Sequence, residues 1–131
     1  MSEHMALENL TVLDLTRVLA GPFCTMMLAD MGANVIKIEM PGKGDDTRAM
    51  GPKKNDYSMY YAYVNRGKKG ITLNLKSEEG KKLFLEMVKK ADVVVENYRP
   101  GVMDKLGLGY DVLKEINPRL IYAAVSGFGC Y

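Results

Sequence analysis

Residues 11–39 read TVLDLTRVLAGPFCTMMLADMGANVIKIE, and this stretch decides the fold class. Two short runs rich in β-branched residues, 11–15 and 34–39, have the composition of strands. The segment between them fits a helix over 22–31, because Pro22 suits a first helical turn and Gly32 suits the residue after a last one. A strand, a helix and a strand in this order form a βαβ unit, which predicts a parallel sheet.

The same alternation of strands and helices continues along the rest of the chain. Further strands are predicted at 71–75, 91–96 and 120–126, with a polar loop over 40–56 and a short aromatic helix over 57–64. Ser77 is a suitable N-cap for a longer helix that runs to residue 90. Asp111 is expected to cap a short helix that Pro118 stops.

These elements predict an α/β fold, a Rossmann-like, doubly wound, mostly parallel sheet with flanking helices. Residues 1–10 are expected to form a tail and lead-in, and residues 11–131 a single domain. In the usual strand order 3-2-1-4-5, the topological switch lies between the strands that end at Leu15 and Glu96. The loops that leave those strands carry Arg17 and Arg99. They predict an anion-binding crevice, although two solvated arginines in ordinary loops remain an alternative.

Composition and charge exclude several classes of protein. The 131 residues are 47% hydrophobic and 26% charged, which is typical of a globular domain. No run approaches the roughly 18 apolar residues of a membrane span, and a net charge of +2 argues against a general nucleic-acid binder. A cytoplasmic protein is expected. The charge is uneven, because residues 37–76 hold nine Lys and Arg against four Asp and Glu.

Several familiar kinds of site are missing from the sequence. Cys24 and Cys130 lack the spacing of a disulfide framework or a metal site, so a free, buried Cys24 and no metal are expected. The only histidine is His4, in the tail, which excludes a histidine-dependent triad within this chain. Asp45 and Asp46 are expected to be solvated rather than to form an acid and base couple.

The features of an adenosine site are incomplete. Glu39 lies where a dinucleotide-binding fold has its ribose-binding acid, but the glycine-rich GxGxxG turn is absent. A surface carboxylate that pairs with Lys37 or Arg48 is therefore the favoured interpretation of Glu39. The tyrosines could stack on an adenine or pack in the core, and their near-helical spacing favours packing. These tyrosines are Tyr57, Tyr60, Tyr61 and Tyr63.

Four blocks of the sequence resemble the class III CoA-transferases, the family of formyl-CoA and carnitine CoA-transferases and of 2-methylacyl-CoA racemase. The blocks are LDLTRVLAGPFCTMMLADMGANVIKIE (13–39), NRGKKGITLNLKSEEG (65–80), ADVVVENYRPGVMDKLGLGY (91–110) and NPRLIYAAVSGFG (117–129). They occur in the order of the family and together cover almost the whole chain after about Leu7.

The resemblance implies that residues 11–131 bind coenzyme A or an acyl-CoA. It matches 73–76 to a strand edge along the adenosine, and 97–99 to a loop that meets the pantetheine and pyrophosphate. Lys105 stands where several members have an arginine for a phosphate, whereas Met40 replaces an arginine that stacks on the adenine in some members. The implied contact residues are Arg17, Leu19, Ala20, Leu73, Asn74, Leu75, Lys76, Asn97, Tyr98, Arg99 and Lys105.

The resemblance also implies an activity, the transfer of CoA from an acyl-CoA thioester to a carboxylic acid through an aspartyl intermediate. The catalytic aspartate is expected downstream of residue 131, so the chain is expected to be an N-terminal part with no catalytic residue and no turnover of its own. Family dimers and the apolar last strand predict a homodimer or self-association. The racemase branch and a non-catalytic nucleotide-binding or interaction module remain alternatives.

Overall fold

A parallel sheet of five strands organises the chain, and the computed structural model describes residues 4–129 of it. The strands are β1 (Thr11–Asp14), β2 (Asn34–Glu39), β3 (Lys53–Lys54), β4 (Tyr57–Ser58), β5 (Lys69–Thr72), β6 (Val93–Glu96) and β7 (Ile121–Ala124). The helices are α1 (Ala20–Asp30), α2 (Met59–Val64), α3 (Glu78–Val88), α4 (Val102–Lys105) and α5 (Tyr110–Ile116), with a 3₁₀ helix over Asp46–Ala49. β3 and β4 form a separate hairpin.

The order of the main sheet is β5-β2-β1-β6-β7, and every neighbouring pair is parallel. This confirms the predicted α/β class and the predicted order. Leu13 of β1 lies opposite Ile36 on one side and Val94 on the other. Just after β1, Leu15 N donates to Val95 O at 2.9 Å, so the carboxyl ends of β1 and β6 are adjacent. The topological switch therefore lies where it was predicted.

Helices cover both faces of the sheet. On one face, Phe84 and Val88 of α3 and Leu113 of α5 are completely buried in a cluster with Leu13 and Val94. On the other face, Val12, Val35 and Val95 form a second cluster, against which Leu28 of α1 and Leu7 and Leu10 of the lead-in pack. Burial of each such side chain contributes about 1.5–3 kcal/mol, and burial on both faces explains the continuous apolar runs of β1 and β6.

The predicted third strand over 71–75 is wrong by several residues, because β5 spans Lys69–Thr72. All four residues of β5 are exposed at the edge of the sheet, so no buried face marks the strand in the sequence. Leu73 N still donates to Glu39 O at 2.9 Å, but Asn74 O already accepts from Ser77 N at 3.1 Å. Residues 73–76 are therefore a loop rather than a strand edge.

Two further local predictions are wrong. The predicted helix over 57–64 begins only at Met59, because Tyr57 and Ser58 pair with Lys53–Lys54 and the Ser58 side chain caps α2. The N-cap of α5 is Gly109, so Asp111 lies inside the first turn, where it pairs with Lys114. By contrast, Ser77 caps α3 as predicted and accepts from Gly80 N.

The expectations for the thiols, the membrane and the last strand have different outcomes. Cys24 is a free thiol but only half-buried, and Cys130 lies outside the described residues. No helix within residues 4–129 is long and apolar enough to cross a membrane. β7 is an edge strand whose Ile121 is 62% exposed, and self-association through it stays a prediction.

Gly80 offers a test of the packing between α3 and the loop before it. A Cβ at this position would lie 1.9 Å from the backbone oxygen of Asn74, whereas a Cβ at Gly70 would meet nothing within 4 Å. Alanine normally favours a helix, but we expect Gly80→Ala to lower the free energy of unfolding by about 1–3 kcal/mol because the loop must move. Urea denaturation measures the change.

Gly70→Ala is the matched control, and we expect it to change the free energy of unfolding by less than about 0.5 kcal/mol. Equal stability of the two variants would contradict the contact between Gly80 and Asn74.

Candidate functional site

A cavity of about 490 Å³ opens where the loops after β1, β2, β5 and β6 meet. Parallel strands present their carboxyl ends to this edge, which is where α/β sheets bind ligands. Its lining residues are Thr16, Arg17, Ile38, Glu39, Met40, Gly44, Asp45, Leu73, Asn74, Leu75, Lys76, Tyr98, Arg99, Val102 and Leu106.

Seven of the eleven residues proposed from the sequence line this cavity. They are Arg17, Leu73, Asn74, Leu75, Lys76, Tyr98 and Arg99. The other four do not line it. Leu19 and Ala20 are exposed at the start of α1, Lys105 is exposed at the end of α4, and Asn97 is half-buried beside Arg17. The four tyrosines considered for adenine stacking are also absent from the lining.

Asn97 joins the two loops at the switch point. Its Oδ1 accepts from Arg17 N at 2.8 Å, and its Nδ2 donates to Arg17 O at 2.7 Å. The Arg17 guanidinium lies 5.3 Å from the centre of the Tyr98 ring, within the range of a cation–π contact. Asn97 therefore holds the loop after β1 against the loop after β6, and burial raises the pKa of the Tyr98 phenol beside them.

A buried ion pair lies beneath the loop after β1. Lys37 is 1% exposed and its Nζ lies 2.9 Å from Asp45 Oδ2 and 2.9 Å from Thr16 O. Asp45 Oδ1 accepts from Thr47 N at 3.0 Å and from Val18 N at 3.3 Å. Val18 has φ of 69°, a left-handed conformation that is unusual for a β-branched residue, so this loop depends on its anchors.

The expectation that Asp45 is solvated is therefore wrong, although Asp46 is partly exposed and pairs with Lys43 at 2.7 Å. Because Lys37 is buried with Asp45, it is not one of the cations that could contact a ligand. A buried Asp or Lys needs a partner, and here the partner comes from a loop eight residues away.

A second buried pair fixes the first turn of α1. Lys68 Nζ donates to Asp14 Oδ2, Pro22 O and Asn65 Oδ1, each at 2.9 Å. Asp14, which is 0% exposed, also accepts from Thr25 Oγ1 at 2.7 Å. Burial lowers the pKa of Lys68, and the charge of Asp14 only partly offsets this effect. The pair connects β1, α1 and the end of α2.

A third cluster surrounds Glu39, which is buried and not a surface carboxylate as expected. Its oxygens accept from Arg48 Nε and Nη2, both at 2.8 Å, from Tyr61 OH at 2.6 Å and from Asp45 N at 2.7 Å. The predicted pairing with Arg48 is correct, and Lys37 pairs elsewhere. Burial alone would raise the pKa of Glu39, but the hydrogen bonds from Arg48, Tyr61 and Asp45 outweigh it and lower the pKa to about 2.

The sequence analysis did not assign Lys37 and Lys68 to buried pairs with acids. Asp14 and Lys37 lie within apolar strands, and a charge inside such a strand is a signal of a buried pair. The identity of each partner has no local signal, because Lys68 lies 54 residues from Asp14.

The pairing of the acids leaves the cavity with a positive rim. Glu39 and Asp45 both line the cavity, but each already has a cationic partner. The side chains of Lys76 and Arg99 pair with no carboxylate among residues 4–129, and Arg17 Nη1 approaches Asp46 only to 3.9 Å. The described residues contain no group of three His, Cys, Asp or Glu that could hold a metal ion. The arrangement suits a polyanionic ligand with an apolar part.

The Lys37–Asp45 pair can be tested by removal of one partner. Asp45→Ala leaves the buried Lys37 ammonium without a counter-charge, so we expect the free energy of unfolding to fall by about 3–5 kcal/mol. Lys37→Met combined with Asp45→Ala should recover part of this loss, because the charge that lacks a partner is gone. Urea denaturation of both variants measures the coupling.

Asp46→Ala is the neighbouring control, since it breaks only exposed contacts, the pair with Lys43 at 2.7 Å and the longer one with Arg17 at 3.9 Å. Its effect on the free energy of unfolding should be much smaller than that of Asp45→Ala, because water and salt screen exposed ion pairs. A loss from Asp45→Ala as small as that from Asp46→Ala would contradict the buried pair.

Glu39 predicts an acid-sensitive contribution to stability. Its pKa is near 4.5 in an unfolded chain and about 2 in the fold, so its stabilisation is complete above pH 4.5 and is lost as the pH falls towards 2. The difference in free energy of unfolding between the wild type and Glu39→Gln should be largest at pH 6 and smaller at pH 3, by urea denaturation at each pH.

Glu79→Gln serves as the control, because Glu79 is exposed on α3 and makes no ion pair within residues 4–129. It should show little difference from the wild type at either pH. If the difference in free energy of unfolding between the wild type and Glu39→Gln is the same at pH 6 and pH 3, the partners of Glu39 do not lower its pKa.

Comparison of the sequence with known proteins shows the family of the chain. The family model described as CoA-transferase family III matches residues 7–131. The chain is similar to acetyl-CoA:oxalate CoA-transferase from Acetobacter aceti, with 62% identity over 122 residues that cover 93% of this chain and 31% of that protein. It is also similar to succinyl-CoA:glutarate CoA-transferase from Homo sapiens, with 51% identity over 130 residues that cover 98% of this chain and 30% of that protein.

Solved structures agree with this match. A CAIB/BAIF family protein from Brucella suis superposes with a TM-score of 0.90 at 45% identity, over 97% of this chain and 35% of that one. A hypothetical protein (Rv3272) from Mycobacterium tuberculosis superposes with a TM-score of 0.89 at 44% identity, over 96% of this chain and 35% of that one. The chain spans about a third of the length of the curated relatives it matches. On the family model and these identities, the chain belongs to CoA-transferase family III.

Proposed function

We propose that the chain binds coenzyme A in the cavity at the topological switch, as part of an enzyme that transfers CoA from an acyl-CoA thioester to a carboxylic acid. One observation carries the proposal. Seven residues that the family resemblance implies as CoA contacts, drawn from three separate loops, line one cavity. The names of both relatives described above are those of CoA-transferases, which supports the transferase branch over the racemase branch.

The proposed orientation of CoA follows the chemistry of the lining. The adenosine would lie along the loop of residues 73–76 and against Met40, which offers an apolar surface in place of a stacking arginine. The pyrophosphate would meet Arg17 and Arg99, and the Asn97 hydrogen bonds hold the backbone of Arg17 in place. Leu19, Ala20 and Lys105 are exposed and remain open to a ligand that extends beyond the cavity.

Charge would supply much of the proposed affinity. CoA carries negative charge on a 3'-phosphate and a pyrophosphate, and cations of the protein can contact both. Each exposed ion pair contributes only about 0.3–1 kcal/mol to the binding free energy. Several cations must therefore act together, and Arg17, Lys76 and Arg99 are the ones at the rim. Because their anchors are already formed, binding would not have to order the loops that carry them.

The proposed reaction of the complete enzyme is the one that the family resemblance implies. An aspartate carboxylate attacks the thioester carbonyl, the C–S bond breaks, and the CoA thiolate leaves a mixed anhydride. The thiolate then attacks the aspartyl carbonyl, which releases the first acid and forms an aspartyl-CoA thioester. The acceptor carboxylate attacks the carbonyl of this thioester, which breaks the C–S bond, expels the CoA thiolate and forms a second mixed anhydride. The thiolate then attacks the acceptor carbonyl of that anhydride, which forms the new acyl-CoA and frees the aspartate carboxylate. We place the aspartate outside residues 1–131, so these residues bind and orient CoA.

Titration of CoA into the chain by calorimetry tests the proposal. We expect binding that weakens as salt is raised, because the contacts are ionic and exposed. Arg99→Ala should weaken binding about two- to fivefold, because an exposed ionic contact contributes about 0.3–1 kcal/mol and 1.4 kcal/mol corresponds to a factor of ten in affinity. Lys43→Ala should change the affinity less than twofold, because Lys43 pairs with Asp46 and does not line the cavity.

Two results would contradict the proposal. The absence of CoA binding at millimolar concentration would favour a module that kept the fold and lost the ligand. Equal effects of Arg99→Ala and Lys43→Ala would mean that CoA binds elsewhere on the basic surface.

A further inference from the structure

Glu39 ends β2 at the position where dinucleotide-binding folds carry an acid that accepts hydrogen bonds from ribose hydroxyls. Here the carboxylate lines the cavity, yet it has no acceptor capacity left. An ionised carboxylate has about four lone-pair sites. Oε1 accepts from Arg48 Nη2 and Tyr61 OH, and Oε2 accepts from Arg48 Nε and Asp45 N. A ribose diol therefore finds no acceptor on Glu39.

Packing holds the carboxylate in this state. The Arg48 guanidinium carbon lies 3.9 Å from the centre of the Tyr61 ring, so the arginine is held by stacking as well as by hydrogen bonds. Gly44 lies so close that a Cβ there would be 2.6 Å from Glu39 Oε2 and 3.0 Å from Arg48 Cδ. The loop after β2 therefore closes over the pair, and the hydrogen bond to Glu39 raises the pKa of Arg48.

The two members of the pair differ in the solvent exposure of their side chains. The Glu39 side chain is 5% exposed, whereas the Arg48 side chain is 43% exposed. Arg48 Nε and Nη2 are used within the cluster, but Nη1 donates to no acceptor among residues 4–129. Arg48 lies against Gly44, which lines the cavity. Arg48 does not itself line the cavity, but it lies against a residue that does and keeps unused guanidinium donors, whereas the carboxylate of Glu39 is neutralised.

We propose that the Glu39–Arg48 pair determines ligand specificity, by selecting an adenosine whose ribose carries a phosphate over one whose ribose is a free diol. The proposal rests on the proposed function, CoA binding in this cavity. A free carboxylate accepts a diol and repels a phosphate, whereas an arginine accommodates a phosphate. This chain has the acid of a site that binds a ribose diol, but Arg48 occupies that acid. The pair therefore resembles a site that binds a ribose phosphate.

The test compares CoA with dephospho-CoA, which lacks only the 3'-phosphate. Calorimetry gives the dissociation constant of each ligand, and the ratio of the two constants is the readout, since a general loss of structure weakens both ligands alike. We expect the wild type to prefer CoA at least tenfold. Arg48→Gln should lower this ratio at least threefold, because it removes the guanidinium and leaves the Glu39 charge facing the phosphate.

Glu39→Gln gives the decisive contrast. It removes the negative charge and leaves Arg48 as a free cation, so the preference for CoA should be maintained or increased. Opposite responses of two variants that break the same ion pair cannot come from structural damage. Arg48→Lys keeps the charge without the planar fork and should retain more of the preference than Arg48→Gln. Because the preference of Arg48→Lys should still lie below that of the wild type, this variant tests the proposal if Arg48→Gln does not fold.

Arg66→Gln is the matched control. Arg66 makes the same kind of two-nitrogen pair with Asp30, with distances of 3.2 and 2.6 Å, and lies 5.2 Å from the Tyr63 ring on the surface. Neither residue lines the cavity, so the ratio should match the wild type.

Three results separate the possible failures. A wild type that binds CoA and dephospho-CoA equally would overturn the inference and leave the proposed function intact. An equal fall of the ratio in Arg48→Gln and Glu39→Gln, or no change in either, would also overturn it. A wild type that binds neither ligand would remove the proposed function and this inference together.

Discussion

The buried ion pair between Lys37 and Asp45 is the interaction on which the candidate site depends. Two charges removed from water cost several kcal/mol each unless each finds a partner, so this pair constrains every group around it. Lys37 reaches from the centre of β2 to the backbone of Thr16, and Asp45 caps the 3₁₀ helix and accepts from Val18 N. One ion pair therefore fixes the loop after β1 and the loop after β2 in relation to each other.

The Asp14–Lys68 pair extends the same principle to α1 and the end of α2. Asn97 then fastens the loop after β6 to Arg17 through neutral hydrogen bonds. Three of the loops that form the cavity are thus connected to one another by side-chain hydrogen bonds. Rigid walls of this kind suit a long, flexible ligand, because the protein side loses little conformational entropy when the ligand binds.

These ion pairs reduce the number of cations between residues 37 and 76 that are available to a ligand. The excess of Lys and Arg in that segment predicts a surface that attracts a polyanion. In the fold, Lys37, Arg48 and Lys68 neutralise acids of the protein itself, and only part of the excess faces the cavity. The cations at the rim of the cavity come largely from outside this segment, as Arg17 and Arg99 do.

The sequence by itself determined the α/β class, the order of the main strands and the position of the switch with Arg17 and Arg99, whereas the other five lining residues were implied only by the family resemblance. The class, the order and the switch depend on local signals, namely the apolar runs of β1 and β6, the Ser77 cap and the rule that parallel strands present their carboxyl ends together. Only the tertiary structure decided the limits of β5, an edge strand without a buried face, and the burial of Asp45 and Glu39. The reason is physical: whether a charge is solvated or buried depends on partners that lie far away in the sequence, and those partners meet only when the sheet has formed.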